Sequence, residues 1–357
     1  MLQSIQYQFK NMFQTRIQSQ NGRRKTYLDM VKGICIILVV LGHSEYVSHY
    51  TNIWLSTFHL PAFFIVSGYL TEMKMEFQKN FREILIKKVR SLLVPYFIFS
   101  FGALLVELAL GHGTKELISE ILLKTIFLRG YSVFWFLSAA FFGELIFIAF
   151  RKKLQLKAAI PVLVLIAVVL YKVYDLASLP DPANIVLQTI TKFFIAAAFM
   201  AMGALICRII AKREKFSAME LVAGLLLVVG NYFLIRFTAL GTYNRDLNFA
   251  SVGSVIIYLL QGTIVSMGLL LVCKNIKNIP IITFFGQNSL IIMSTHLNYY
   301  VLYCGYLLYK KINPPMIFGE TFAVNFYSVL LTMIMEIFII VIINCFFPFV
   351  LGKGRRE

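Results

Sequence analysis

Lys32 and His43 stand eleven residues apart in "LDMVKGICIILVVLGHS", residues 28–44, a stretch otherwise apolar enough to enter a membrane. At about 100° per residue that spacing is three helical turns. The two side chains then differ by about 20° around the axis and about 16 Å along it. Asp29 lies about 60° from Lys32, so all three share one face. Ionisable groups in hydrocarbon are costly and mark a cavity, a partner or a function. An imidazole carries protons near neutral pH, and a carboxylate and an ammonium at the other end could fix or recruit charge. The competing reading is a snorkelling Asp29–Lys32 ion pair with a structural histidine bonded to a carbonyl.

Two more histidines occur in apolar stretches. His59 lies in "FHLPAFFIVSGYL", residues 58–70, and His296 in "GQNSLIIMSTHLNYY", residues 286–300. Both are expected at a depth close to that of His43, so the three could converge. Pro61 is expected in the first turns of its helix, where proline is tolerated, and Ser67-Gly68 are small enough to admit a neighbouring helix. The deepest acids are Glu107, Glu144 and Glu336; each could orient a histidine or be bonded within the bundle. In "FREILIKKVRSLLVPYF", residues 81–97, Lys87 and Arg90 form an i,i+3 pair. Such a pair can hold phosphate, or can be ordinary charge at a cytosolic helix end. Pro95 and Tyr96 are expected to mark a kink there. Trp135, in "FWFLSAAF", reads as an aromatic-belt residue.

These residues must be positioned by membrane helices. The chain is 59% hydrophobic and 14% charged, against about 45–50% and about 25% for soluble domains. Long apolar runs without strict alternation imply an all-α polytopic membrane protein and exclude a β-barrel. About ten transmembrane helices are expected, near 28–50, 54–72, 91–110, 131–150, 158–174, 189–210, 217–239, 249–273, 284–308 and 321–349. The segment 111–130 is too short to span and reads as interfacial or re-entrant. With both termini cytosolic, most of the 34 Lys and Arg residues fall on cytosolic tails and loops. The formal charge of +17 is therefore positive-inside charge, and no nucleic-acid partner is expected. Five scattered cysteines without ligand spacing predict neither disulfides nor a metal site. The expected organisation is a polar cytosolic tail over 1–26, a membrane domain over 27–350 and a basic cytosolic tail over 351–357. No signal peptide is expected, and no nucleotide-loop, serine-elbow or zinc-helix motif is present.

Taken together, the motifs resemble the membrane-bound acyltransferase-3 family, within it the fucose 4-O-acetylase-like branch. The resemblance rests on a basic residue, ten residues and a histidine (Lys32 to His43), on "FHLPAFFIVSGYL", on "KKVRSLLVPY" (Lys87, Arg90, Pro95), on "VFWFLSAAF" (Trp135) and on "FGQNSLIIMSTH" (Asn288 to His296). It runs from about residue 26 to 350. Two positions depart from it: Lys32 stands where many members have arginine, and Ala140 where many have glutamate. The extra extracytoplasmic esterase-like domain common in the family is not expected.

The resemblance implies a multi-pass enzyme of the cell (plasma or inner) membrane. It would move an acyl group, most often acetyl from acetyl-CoA, to a hydroxyl of a cell-envelope or exported carbohydrate, without a metal. Lys32, Lys87 and Arg90 would hold the CoA phosphates. His43 would be general base or transient acyl carrier, with His296 and His59 the other candidates. Asp29, Trp135 and Asn288 complete the candidate set. The rival readings are a glycan or acyl flippase without chemistry, and an assembly factor that kept the fold alone. The sequence carries no signal of oligomeric state.

Overall fold

The computed structural model describes residues 25–176, 183–211, 216–242 and 245–353. Outside these lie the N-terminal tail to residue 24, the tip of the expected outer loop at 177–182, the basic residues Lys212, Arg213 and Lys215, residues 243–244, and the C-terminal residues 354–357 with Arg355 and Arg356.

The described residues are helical, with an isolated bridge between Asp246 and Ser251 and no strand. In chain order the helices are α1 (Thr26–Gly42), α2 (His49–Met73), α3 (Phe81–Lys88), α4 (Val94–Ala109), α5 (Lys115–Ile126), α6 (Trp135–Lys153), α7 (Leu156–Leu176), α8 (Ala183–Ile210), α9 (Ala218–Phe237), α10 (Val255–Asn275), α11 (Pro280–Gln287), α12 (Ser289–Thr295), α13 (Val301–Ile312) and α14 (Glu320–Phe346). Several begin where the sequence supplies an N-cap oxygen. Ser48 accepts from the Thr51 amide, Thr114 from Leu117 and Ser217 from Glu220. The last, Ser-Ala-Met-Glu, has the spacing of a capping box.

Eight helical segments among the described residues are long and apolar enough to cross a membrane. The chain is a multi-pass membrane protein. The two remaining expected spans take other forms, and both carry site histidines. The first was expected to continue to residue 50, but α1 ends at Gly42 after 17 residues, His43 caps it, and α2 begins at His49. His43 therefore sits in a helix end, not inside a helix. The ninth was expected to be continuous from 284 to 308. It is broken at Asn288 and again between Thr295 and Val301, where Tyr300 has a left-handed φ of 59°.

Two smaller expectations are also corrected. Because α2 starts at His49, Pro61 lies inside it, beyond its first turns. Near Pro95, where a kink was expected, a π-helical segment over Val89–Leu93 joins α3 to α4 in one 29-residue span. A proline cannot donate to the preceding turn and its ring crowds that turn's carbonyl, and a wider turn relieves both. The 12-residue α5 occupies the 111–130 segment and is too short to span.

The bundle has an inside and a lipid-like outside. α8 is buried on all sides over Ile195–Ala201 and crosses α2 closely. A Cβ on Gly68 would strike the Met200 backbone, and one on Gly203 the Ile65 backbone, so small residues fix that crossing. By contrast, α14 exposes Phe322, Phe326, Leu330, Ile334, Phe338 and Ile342, a stripe at four-residue spacing. An apolar stripe that no element among the described residues covers is suited to lipid.

Candidate active site

The short α1 and the broken ninth span meet at their ends. The His43 amide bonds to the Val39 and Val40 carbonyls at 3.2 and 3.3 Å, which closes α1. The turn that follows is tied to α14: Ser44 donates to Asn325 Oδ1, and Asn325 Nδ2 donates to the Tyr46 carbonyl at 2.9 Å. His296 lies beside it, the two imidazole centroids 5.3 Å apart at 43°. His43 is exposed, and its surface opens on a cavity of about 640 Å³. His59 lines the same cavity, with His49, Trp135, Arg245 and Asp246.

Backbone carbonyls fix the tautomers of two of these rings. His59 Nδ1 bonds the Leu55 carbonyl, and His296 Nδ1 bonds the Ile292 carbonyl at 2.7 Å. A carbonyl only accepts, so each Nδ1 carries the hydrogen and each neutral ring keeps a lone pair on Nε2. His296 is fully buried, and its Nε2 has no hydrogen-bond partner among the described residues. An open imidazole next to a second imidazole with a free lone pair can take up and pass on a proton.

The opposite wall is built from the segment between α9 and α10. Arg245 donates to the Val252 carbonyl and, at 3.1 Å, to Gln261 Oε1. Gln261 donates to Asn231 at 3.1 Å and Asn231 to Thr57 Oγ1 at 3.0 Å. This chain satisfies each buried amide and anchors the loop to α10, α9 and α2. Asp246 beside it accepts from the Asn248 amide at 2.9 Å. Burial pushes its carboxyl above the usual range, against the opposing pull of the Asn248 and Phe249 amides and of Lys192. Lys192, only 1% exposed, points at the Trp135 ring, its Nζ 5.4 Å from the centroid. Trp135 is thus buried in a cavity wall over a cation; its place is interior, beyond the interfacial role read from the sequence.

A family model described as an acyltransferase domain matches residues 25–353. The chain belongs to the acyltransferase-3 family. It is a multi-pass membrane acyltransferase. No curated protein and no solved structure matches the chain.

In this acyltransferase the remaining candidates lie away from the histidines, and all but Arg90 have partners of their own. Lys32 pairs with Asp29 at 2.8 Å. Here α1 is pressed against α11, since a Cβ on Gly286 would strike the Asp29 carbonyl. Lys87 bonds Glu76, and Lys88 bonds Glu76 at 3.2 Å and Glu144 at 2.5 Å. Arg90 is exposed and makes no ion pair among the described residues. Asn288 holds the first break of the ninth span: it donates to the Phe284 carbonyl at 2.9 Å and accepts from Asn344 at 3.0 Å.

None of the three deep acids hydrogen-bonds His43, His59 or His296. Glu144 takes Lys88 and Thr71; Glu107 takes His112 and Tyr300 at 3.1 Å; Glu336 takes Thr295 at 2.8 Å. Among the described residues no group of three or more His, Cys, Asp or Glu side chains is placed to hold a metal ion.

Sequence reasoning missed His49, Arg245, Asp246 and Lys192. His49 opens α2, and Arg245 and Asp246 lie in the segment between α9 and α10, so the approach of all three to the site depends on long-range packing. Lys192 carried a signal, a lysine within an apolar span near "TITKFFIAAAF".

Proposed function

We propose that this acyltransferase moves an acyl group, chiefly acetyl, from cytosolic acyl-CoA to a hydroxyl of a cell-envelope or exported carbohydrate, with His43 as general base. The observation that carries the reading is the open imidazole of His43 in the wall of a roomy cavity lined by both polar and apolar side chains. About 640 Å³ lies within the usual range for small-molecule sites. Trp135 offers a flat apolar face to a sugar ring, and Asp246, Asn248, Asn52 and Ser56 offer hydrogen-bond partners to its hydroxyls.

The reaction balances with one base. The acceptor hydroxyl gives its proton to the His43 imidazole as its oxygen bonds to the acyl carbon. The carbon–sulfur bond breaks, and the imidazolium returns the proton to the departing CoA thiolate. His296, at 5.3 Å, supplies a second acceptor nitrogen beside the one that is protonated. The phosphates would lie at the other end of α1, near Lys32, Lys87 and Arg90. An extended pantetheine arm then bridges the roughly 16 Å to His43 along the helix. Positive-inside charge supports a cytosolic N-terminus and donor side and an outward-facing acceptor cavity in the cell membrane.

The test is transfer of labelled acetyl from acetyl-CoA by purified protein to envelope polysaccharide isolated from cells lacking it. The expected product carries one acetyl mass per modified residue. Folded protein that moves unmodified glycan across vesicles and transfers no label would instead be a flippase.

A further inference from the structure

A second cavity of about 280 Å³ adjoins the first, and His43 and Leu297 line both. These two residues therefore stand where the chambers meet. The walls differ in kind. The larger chamber presents Asp246, Arg245, Asn52 and Trp135. The smaller presents the rings of Tyr46, Tyr300, Tyr303 and Tyr306 with Leu302 and Val324, the last two buried, beside Ser44 and the exposed Glu45. A transfer reaction must bring two unlike groups to one base, with the reacting atoms within about 3–3.5 Å of each other. Two unlike chambers that meet at one imidazole provide for this.

We propose that the smaller chamber is the subsite for the acyl group, and that Leu302 and Val324 set the length of chain transferred. This rests on the reading of the protein as an acyl-CoA-dependent enzyme. The acyl group is the far end of the donor, beyond the pantetheine arm. It therefore belongs on the side of His43 remote from Lys32, where every wall residue of the small chamber lies, in segments 43–46, 297–306 and 324–328. The hydrocarbon of Leu302 and Val324 and the tyrosine rings suit an alkyl chain, with Ser44, Glu45 and Ser328 the polar members of the wall. The wall also contains a buried hydroxyl without a hydrogen-bond partner among the described residues, that of Ser328, which is 2% exposed. A buried donor left open costs free energy unless a ligand fills it, and the acyl carbonyl oxygen is an acceptor of the required kind. The chamber is also many times the roughly 10–15 Å³ that one water needs. Acetyl leaves part of it empty, so three- and four-carbon acyl groups fit.

The experiment compares acetyl-, propionyl- and butyryl-CoA as donors to envelope polysaccharide isolated from cells lacking the protein, using the full-length enzyme in detergent. Wild type is expected to use all three. Val324→Phe fills the chamber and is expected to lower the butyryl-to-acetyl ratio of kcat/KM about tenfold or more, the scale of one methylene in an apolar pocket. Leu302→Ala empties it and is expected to raise the ratio. Opposite shifts from filling and emptying cannot come from general damage, which lowers all donors alike. An unchanged ratio in both variants, or equal losses for all three donors, would overturn the acyl subsite while leaving acyl transfer itself intact. Absence of transfer from every donor by folded wild type would overturn the underlying reading, and this proposal with it.

Discussion

At the His43 end of α1, the open imidazole of His43 and the Ser328 hydroxyl lie at cavities, and the buried His296 Nε2 beside them has no hydrogen-bond partner among the described residues. At the Lys32 end, ammonium groups meet carboxylates of the same chain: Lys32 with Asp29, Lys87 with Glu76, and Lys88 with Glu76 and Glu144. The difference separates two uses of polar groups in a membrane protein. A buried charge that has found its counter-ion holds helices in register, and removing one partner is costly because the other stays buried. An imidazole held by one carbonyl, with its second nitrogen open, is committed in orientation and free for chemistry. On this view Lys88 is a strut between the α2–α3 turn and α6, whereas Arg90, two residues on, exposed and without an ionic partner among the described residues, is available to an anion.

The strongest break of this comparison is Lys88→Met. It leaves Glu144 buried at 4% exposure beside only the Thr71 hydroxyl. Loss of one partner of a buried pair costs about 3–5 kcal/mol, so the apparent Tm in detergent is expected to drop sharply. Lys88→Met combined with Glu144→Leu should recover much of the loss. A Lys88→Met protein as stable as wild type would remove the strut.

Next in size is donor affinity. Arg90→Ala is expected to weaken CoA binding by about 1.5–3 kcal/mol, the worth of a charge-assisted phosphate contact, in isothermal titration. Lys87→Ala should weaken it less, because Lys87 already bonds Glu76. Equal losses would mean that the Glu76 pair opens for the donor. No loss in either variant would return the cluster to plain positive-inside charge.

The smallest effect is a pH dependence. Glu76 lies in the turn between α2 and α3. Burial raises its carboxyl, and the neighbouring Lys88 and Lys87 outweigh burial, so it titrates below its ordinary value. A depressed acid contributes stability that is full above its unfolded-state pKa of about 4.3 and is lost as pH falls through the folded-state value. The Tm of wild type should therefore fall more steeply below about pH 4 than that of Glu76→Gln. Parallel curves would show that the pairing stores no stability.

Much of this was legible in the sequence for a physical reason. Length and apolarity define most membrane spans, and the cost of a titratable group in hydrocarbon singles out His43, His59 and His296 before any fold is known. What the sequence could not display were partners distant in the chain. Glu144 meets Lys88 across 56 positions, and Asp246 reaches the cavity of His43 from a loop some two hundred residues away. The breaks in the ninth span were hidden for another reason. "SLIIMSTHLNYYVLY" has neither proline nor glycine, and its break at Tyr300 is held by tertiary bonds such as that of the Tyr300 hydroxyl to Glu107. The same limit separated Trp135 as a belt residue from Trp135 as a cavity wall, since only packing against Lys192 distinguishes them.

The open imidazole of His43 is proposed to move the proton. The most direct measurement of this is turnover of His43→Gln, taken beside folded yield and CoA affinity of the same preparation. Glutamine can hydrogen-bond at that helix end but cannot accept a proton near neutral pH. The account predicts wild-type yield, CoA affinity close to wild type, and acyl transfer slowed about 10²–10⁴-fold, the usual contribution of a general base. A His43→Gln protein that transfers acyl groups near the wild-type rate would contradict it and shift the chemistry to His59 or His296.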